Sequence, residues 1–368
     1  MAPSLPRRAW LAQALAACAA SSQAGPATGD DDISPQRRLQ FPRDHGAHPG
    51  TAIEWWYATG WLDAGAGRLL GFQVTFFRSA TGLAAHLPGR YAPRQILMAH
   101  AAITDVASGR HLHAQRLGRW SQSDNTPEAL ASLSDTRLAL GSWQLQRRAD
   151  GYQASWQAPE AGMSVRLELQ TTQPVLLQGH EGFSQKGPLA QQASHYYTEP
   201  QMLARARLVL AGQPVQASGR AWLDHEWSQS LMAPGVVGWD WLGVNLADGG
   251  ALTAFVLRRA DGSVVWAGGS HRPATGPLRA FGPDDVAWQP VRQWLSPQTG
   301  GRYPVHWRIT CPAGQFELRA LLDAQELDSR ASTGTVYWEG LSELLAPSGQ
   351  RLGLGYLEMT GRAQPLRL

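Results

Sequence analysis

Thr51–Asp63 reads TAIEWWYATGWLD and Leu69–Ser79 reads LLGFQVTFFRS, joined by the turn Asp63–Arg68 (DAGAGR); this stretch decides the fold class. Apolar and polar side chains alternate with period two, the signature of strands rather than helices. Trp55, Tyr57, Thr59 and Trp61 share one face of the first segment, and Leu70, Phe72, Val74 and Phe76 share one face of the second. The glycines of the intervening turn allow the chain to reverse, so the two segments predict a β-hairpin.

The same pattern continues outward. Strands are expected at 95–105, 136–148, 151–157, 163–170, 203–211 and 215–224, with turn chemistry at Ala149-Asp150-Gly151 and Ala211-Gly212-Gln213. The second half is patterned in the same way. Gly238–Ala247 (GWDWLGVNLA), Leu252–Arg259 and Val264–Ser270 are separated by Asp248-Gly249-Gly250 and Ala260-Asp261-Gly262. Later strands fall near 303–311, 315–322, 334–342 and 351–360. About eight strands after residue 236 is a number at which a closed barrel can hold one small ligand. Helical periodicity is confined to Pro127–Leu133 and Ala320–Leu327, and the second reads equally well as strand. The Pro/Gly-containing stretch Ser228–Gly235 is the expected boundary, with one unit over 41–232 and another over 236–368. The expected fold is all-β: two antiparallel barrel or sandwich units side by side.

The 368 residues are 43% hydrophobic and 17% charged, which excludes a disordered chain. The 16 tryptophans line large apolar cavities or fill a Trp-rich core. The formal charge is only +3, and no Lys/Arg run marks a nucleic-acid surface. Lysine occurs once, at Lys186.

The N-terminus reads as an export signal. Arg7-Arg8 precede an apolar run, Ala9–Ala17, too short to span a bilayer. Leu15-Ala16-Ala17-Cys18 has the form of a lipobox, so 1–17 is a lipoprotein-type signal peptide and Cys18 the lipidation site. Residues 18–40 form a flexible tether by composition. The expected location is therefore periplasmic, held at a membrane by the lipid anchor. Cys311, the second cysteine, is expected as a small core residue.

Trp222-Leu223-Asp224-His225-Glu226-Trp227 carries the densest chemistry. An extended strand turns Trp222, Asp224 and Glu226 one way and Leu223, His225 and Trp227 the other. Two acids and a histidine among tryptophans need partners if buried, and such clusters often carry shifted pKa values; the alternative is a strand end paired with surface arginines. In Gly238-Trp239-Asp240-Trp241, Asp240 shares a face with Leu242, Val244 and Leu246. There it is either a neutral general acid or a backbone-bonded strand start. Glu54 beside Trp55, Trp56 and Tyr57, and Glu339 beside Tyr337 and Trp338, pair acids with aromatics at a rim or in a lumen. Gln95, His100, Ser184, His195, Tyr196, Tyr197 and Glu199 are weaker candidates. The histidine pairs His45 with His48 and His111 with His113 lack cysteine or carboxylate partners at a diagnostic spacing, so no metal is expected. No nucleophile elbow or phosphate loop is present, and no nucleotide cofactor is expected.

Phe41–Pro49 (FPRDHGAHP), Glu54–Tyr57, Gly71–Arg78, His100-Ala101 with Thr104-Asp105, Gly182–Gly187, Trp222–Trp227, Gly238–Trp241 and Tyr337–Gly340 together resemble the carotenoid 1,2-hydratase and AttH-like family over roughly 41–361. The resemblance implies two lipocalin-like domains side by side, and in its hydratase members cofactor-independent addition of water to an isoprenoid double bond. It puts the family's His and Trp on His225 and Trp227. The hydratases' further Tyr and Asp fall near Leu252–Ala254, where this chain has neither, leaving Asp224, Glu226 or Asp240 as acids. Glu54, Trp55, Trp56, Tyr57, Tyr196, Tyr197, Trp239, Trp241, Tyr337 and Trp338 are the implied ligand contacts. The expected partner is an apolar small molecule, such as an isoprenoid, carotenoid or lipid. Hydratase-like lyase and non-catalytic lipid-binding lipoprotein serving an ABC transporter permease are the two leading readings; a hydrolase comes last, for want of a nucleophile.

Overall fold

The computed structural model describes residues 31–82, 94–122, 128–230 and 232–366. The export signal and Cys18 lie outside the described residues. Thirteen strands form the first sheet: β1 (Ile53–Asp63), β2 (Leu69–Ala80), β3 (Gln95–Asp105), β4 (Arg110–Trp120), β5 (Ala129–Ala131), β6 (Arg137–Leu140), β7 (Trp143–Arg148), β8 (Gly151–Ala158), β9 (Met163–Gln170), β10 (Leu176–Leu177), β11 (Phe183–Gln185), β12 (Ala193–Leu210) and β13 (Gln213–Ser228). Ten form the second: β14 (Gly238–Leu246), β15 (Ala251–Arg258), β16 (Val264–Arg272), β17 (Arg279–Phe281), β18 (Ala287–Leu295), β19 (Arg302–Cys311), β20 (Gly314–Ala320), β21 (Glu326–Ser329), β22 (Thr335–Leu345) and β23 (Arg351–Met359). No α-helix occurs among the described residues.

The first sheet runs β4-β3-β2-β1-β13-β12-β9-β8-β7-β6-β5 and curls until its end strands meet as a nearly closed barrel. The second runs β17-β16-β15-β14-β23-β22-β20-β19-β18. The hairpin read from residues 51–79 is present: Ala64 N–H bonds the Arg68 carbonyl at 2.9 Å, and β1 pairs antiparallel with β2.

All four end strands, β4, β5, β17 and β18, escaped the sequence reading, and two of them show why. β4 carries Arg110, His111, His113, Arg116 and Arg119, and β18 is mostly exposed along its length. Each is held by ladder bonds to one neighbour, so neither needs an apolar face. Neither helical expectation survives. The described part of 127–133 contains β5, and 320–327 is the end of β20, a turn and the start of β21. Pairing across the sheet overrides weak local periodicity.

Three apolar clusters organise the molecule. Trp56, Phe72, Phe76, Trp143 and Trp156 fill the first barrel. Leu242, Val305, Trp307, Trp338 and Leu357 form the core of the second sheet, together with Cys311. The third lies in the seam between the sheets and joins Tyr57 and Trp222 of the first to Trp241, Phe255, Leu341 and Tyr356 of the second. Gly71 allows this close approach, because a Cβ there would lie 2.7 Å from Tyr356 Oη. β1 is therefore buried on both faces: Trp56, Ala58 and Leu62 look into the barrel, while Trp55, Tyr57 and Trp61 look into the seam.

The tryptophans do not wall an open lumen. Trp56, Trp120, Trp143 and Trp156 are fully buried core, packed as protein interiors are. Two open surface grooves lie among the described residues, one of about 540 Å³ between Arg166, Glu168, Arg205 and Arg207.

Candidate functional site

The register of β13 sorts the central motif onto two faces. Against β1, Asp224 lies opposite Tyr57 and Glu226 opposite Trp55, whereas His225 lies opposite Trp56 and Trp227 opposite Glu54. Against β12, Asp224 meets Thr198 and Glu226 meets Tyr196, whereas His225 meets Tyr197 and Trp227 meets His195. The alternation expected for Trp222–Trp227 is observed, and it divides the motif between two separate polar clusters.

The inner cluster sits in the first barrel around Glu54. Oε1 is approached by His48 Nδ1 at 2.7 Å and His225 Nε2 at 2.9 Å; Oε2 accepts from Arg78 Nε at 2.8 Å and from the His48 backbone N–H at 2.9 Å. Arg78 also donates to the Thr51 carbonyl and Gln95 Oε1, both at 2.9 Å. Asp44 accepts from Arg37 Nη2 at 2.8 Å and from Gln40 N–H at 2.6 Å, and it meets His48 Nε2 at 3.0 Å. Tyr197 Oη lies 2.8 Å from His45 Nδ1 and 3.1 Å from His225 Nδ1. His48 stacks on Trp227 at 3.7 Å, and His225 on Trp56 at 4.5 Å.

Charge and hydrogen bonding here favour ionised carboxylates. Burial would raise Glu54, but the charge of His48, hydrogen bonds from His225 and His48, and the Arg78 charge hold it well below the usual carboxylate range. Asp44 is likewise brought to about 2: burial raises it, and the hydrogen bonds of His48 and Gln40 outweigh that. Burial lowers His225 to about 4, with Glu54 offsetting part of the drop. The donor atoms of His48, Glu54 and His225 lie within 4.8 Å of one another, so these residues are the candidate metal ligands. Their 2.7 and 2.9 Å contacts are hydrogen-bond lengths, shorter than the roughly 3.3 Å ligand–ligand edge of a tetrahedral zinc site. Arg78 already holds the second Glu54 oxygen. The cluster reads as a clamp that fixes the 31–51 segment to the barrel.

The outer cluster faces the seam. Asp224 accepts from Thr198 Oγ1 at 2.6 Å, Tyr196 Oη at 2.8 Å and Trp222 Nε1 at 2.9 Å. Trp241 Nε1 donates to Tyr196 Oη at 3.3 Å from the other sheet, and Tyr57 meets the Trp241 ring edge-on at 5.3 Å. Glu226 accepts from Ser194 Oγ and pairs with Lys186 Nζ at 3.0 Å. Across the seam, Glu339 and Glu358 stand directly opposite in the β22–β23 ladder. Tyr57 Oη, Gln73 Oε1 and Glu339 Oε1 are buried with no well-formed hydrogen bond among the described residues.

This environment favours neutral acids. Burial pushes Asp224 up to about 7 against three hydrogen bonds that lower it. Burial also lifts Glu358 to about 7, a bond from Trp239 offsetting part of the rise. Glu339 is raised well above the carboxylate range by burial and then by the charge of Glu358. Burial takes His100, which bonds Tyr337 Oη and Ser332 Oγ at 2.8 Å, down to about 3.

The expected site residues therefore divide. Glu54, Trp56, Tyr197, His225 and Trp227 belong to the inner cluster; Trp55, Tyr57, Tyr196, Asp224, Glu226, Trp239, Trp241 and Tyr337 line the seam. Trp338 turns inward and donates to the Asp323 carbonyl at 2.7 Å. Gln95 joins the inner cluster; Glu199 bonds Tyr152 and Thr171 away from both. Asp240 corrects the reading of a neutral general acid. It sits on an apolar face as expected, but it is ion-paired with Arg258 at 3.1 Å and with Arg362, on the core side of the second sheet. Those partners lie 18 and 122 residues away in the chain, beyond local pattern. His48 does have carboxylate partners, Asp44 and Glu54, which its spacing from other metal-type residues did not reveal. Asp44, Arg78, Lys186, Phe255 and Glu358 were missed. Glu358 had a signal: Tyr356 and Glu358 alternate with Leu357 and Met359 as acids and aromatics do in the recognised motifs.

Two filled antiparallel β units joined along an acidic, aromatic seam make up an all-β architecture of lipocalin-like type. The AttH-like family model matches residues 32–362, and the chain belongs to that family. A crystal structure of an AttH-type protein from Nitrosomonas europaea is 41% identical, with a TM-score of 0.82 over 90% of this chain and 99% of that one. Kievitone hydratase from Nectria haematococca shares the fold at 12% identity, with a TM-score of 0.66 over 92% of this chain and 96% of that one. CghA bound to Sch210972 shares it at 13% identity, with a TM-score of 0.52 over 86% and 89%. No curated protein matches the chain significantly.

Proposed function

We propose that the protein holds an apolar unsaturated ligand, of isoprenoid or lipid class, in the seam and hydrates one of its double bonds without a cofactor. One observation carries this reading: Asp224, Glu339 and Glu358 are raised acids set among Trp222, Trp241 and Tyr57. A neutral carboxyl can protonate an alkene, an aromatic face stabilises the resulting tertiary cation, and the new carboxylate takes a proton from the water that adds. The likeness to kievitone hydratase supports a fold suited to this chemistry. His225 and Asp240 point away from the seam and act on stability in this reading, not on the reaction. Rings fill the seam, so binding requires the two sheets to part. The same reading places the activity on an exported chain anchored through Cys18.

The test is lycopene hydration in deuterium oxide by the mature chain, with tryptophan quenching as the binding readout. Asp224→Asn, Glu339→Gln and Glu358→Gln are expected to keep binding, and at least one is expected to lose deuterated product. Binding without product in the wild type leaves the carrier reading; absence of saturable quenching by lycopene or oleate removes both.

A further inference from the structure

An arginine patch lies on the solvent face of the first barrel, apart from both polar clusters. Along β12, Arg205, Arg207 and Val209 alternate with the core residues Ala204, Ala206 and Leu208; along β9, Arg166 and Glu168 alternate with Val165 and Leu167. All five outward side chains are exposed. The register sorts them into rows across the sheet. Glu168 stands opposite Arg205, and Asp63 joins that row through Ser218, so it holds both signs. Arg166 stands opposite Arg207, with Ser155 and Gln216 on either side, so the second row holds two cations and no acid. The third row, Ser164 and Val209, is uncharged. Like charges directly opposite in a ladder repel, and neither Arg166 nor Arg207 has an ion pair among the described residues.

Two grooves follow these rows. The one of about 540 Å³ is lined by Arg166, Arg205 and Arg207. The other, of about 290 Å³, takes in Ser164 and Val209 with Pro159 and Gly162, and no charged residue lines it. Successive outward rows lie about 7 Å apart along a strand, so the cationic groove gives way at once to the uncharged one. Leu203 and Val209, 38% and 41% exposed, bracket the two arginines of β12. A guanidinium fork matches phosphate oxygens two at a time, and its charge persists at any working pH. A free phosphate would use the arginines alone; a lipid would also cover the exposed apolar side chains. We propose that this face docks an anionic phospholipid: Arg166 and Arg207 hold its phosphate, and the groove beside Val209 takes the start of an acyl chain. The mixed row of Arg205, Glu168 and Asp63 closes the polar end of the site, and Gln216 is placed to donate to the same phosphate.

The experiment sediments the mature chain carrying Cys18→Ser, which excludes an acyl anchor, with vesicles of phosphatidylcholine containing phosphatidylglycerol and with vesicles of phosphatidylcholine alone. Binding to the first and not to the second is expected. Arg166→Gln with Arg207→Gln is expected to weaken it roughly thirtyfold, at about fivefold per arginine near an anionic bilayer. Arg110→Gln with Arg308→Gln, exposed positions on β4 and β19, removes the same charge elsewhere and should leave binding intact. Equal weakening by the two pairs would mean attraction by net charge alone and overturns the site, as does binding to neither vesicle. Calorimetry with dihexanoyl phosphatidylglycerol, kept below its micelle threshold, and with inorganic phosphate separates lipid from free anion. The lipid is expected to bind more tightly, and Val209→Asp to erase the difference; equal affinities in the unsubstituted protein overturn the lipid assignment. A thermal melt checks that each variant is folded.

Discussion

The two faces of β13 differ in how they hold buried charge, although their residues are neighbours in sequence. Inward, Glu54 and Asp44 have hydrogen-bond partners on every carboxylate oxygen and are held ionised. Outward, the seam gathers Asp224, Glu226, Glu339 and Glu358; Glu226 pairs with Lys186, and the other three acids are raised. Both faces keep buried polar atoms without a well-formed bond among the described residues, Trp227 Nε1 and Arg37 Nη1 inward and Tyr57 Oη and Glu339 Oε1 outward, so the difference lies in the state of the acids. Neutral acids among aromatic rings are what a ligand site offers, whereas acids already ionised and paired serve to hold the fold.

The largest expected effect breaks the inner face. Glu54→Leu leaves Arg78 buried at 1% exposure without its carboxylate and strips both histidines of their shared acceptor. Such a loss costs about 3–5 kcal/mol. Urea denaturation should show it, and the paired change Glu54→Leu with Arg78→Met should recover much of the loss, because no charge is then stranded. An effect of Glu54→Leu as small as that of a surface pair would mean the inner cluster is open to water and the contrast is false.

How much of this was legible in the chain follows from the same contrast. Period-two alternation was enough for the all-β class and for the sides taken by Trp222–Trp227, because side-chain direction along a strand is a local property. It could not say which side was barrel and which was seam. In a strand exposed on one face, polarity marks the outside; Tyr57 and Trp56 are both buried, so that mark is missing from β1. Pairing was hidden for a different reason. Glu54 meets His225 across 171 residues, and Asp240 meets Arg362 across 122. An acid on an apolar face reads as neutral until a distant arginine is placed beside it. Cavity or filled core was open for a similar reason: a count of strands does not say how large their inward side chains are, and in the first barrel Trp56, Trp143 and Trp156 are core.

The second expected effect separates the faces by pH. Asp224 stands at about 7 when folded against 3.8 ordinarily, so between those values the native state holds the extra proton. Its stabilising contribution is complete at the acid end and falls as pH rises towards about 7. His225 stands at about 4 against 6.5, so the unfolded chain holds the extra proton in that window, and its contribution is lost as pH falls. The two slopes oppose and flatten the wild-type profile. Asp224→Asn removes one of them and is expected to stabilise the protein above neutrality by roughly 2 kcal/mol. Full conversion at about 1.4 kcal/mol per pH unit would give more, but Asn keeps only part of the three hydrogen bonds that Asp224 accepts, which offsets some of the gain. Thermal unfolding scanned over pH reads it: the variant should gain stability steadily as pH rises from the carboxylate range. A profile parallel to wild type would show that Asp224 is ionised in the folded protein.

The smallest effect sharpens the seam itself. Tyr196→Phe removes one donor to Asp224 and the acceptor of Trp241 Nε1, which ties the two sheets. Loss of a buried hydrogen bond of this kind costs about 1 kcal/mol. Removing a bond that lowers Asp224 should also raise that carboxyl further, since Tyr196 favours its ionised form. Carbonyl-edited NMR of labelled aspartate can follow this titration, and the midpoint should move to higher pH than in the wild type. Tyr197→Phe, one residue along and facing inward, is the control, because its hydroxyl reaches His45 and His225 and not Asp224. If the two substitutions moved Asp224 equally, the strand would not insulate its faces, and the division between clamp and seam would lose its physical basis.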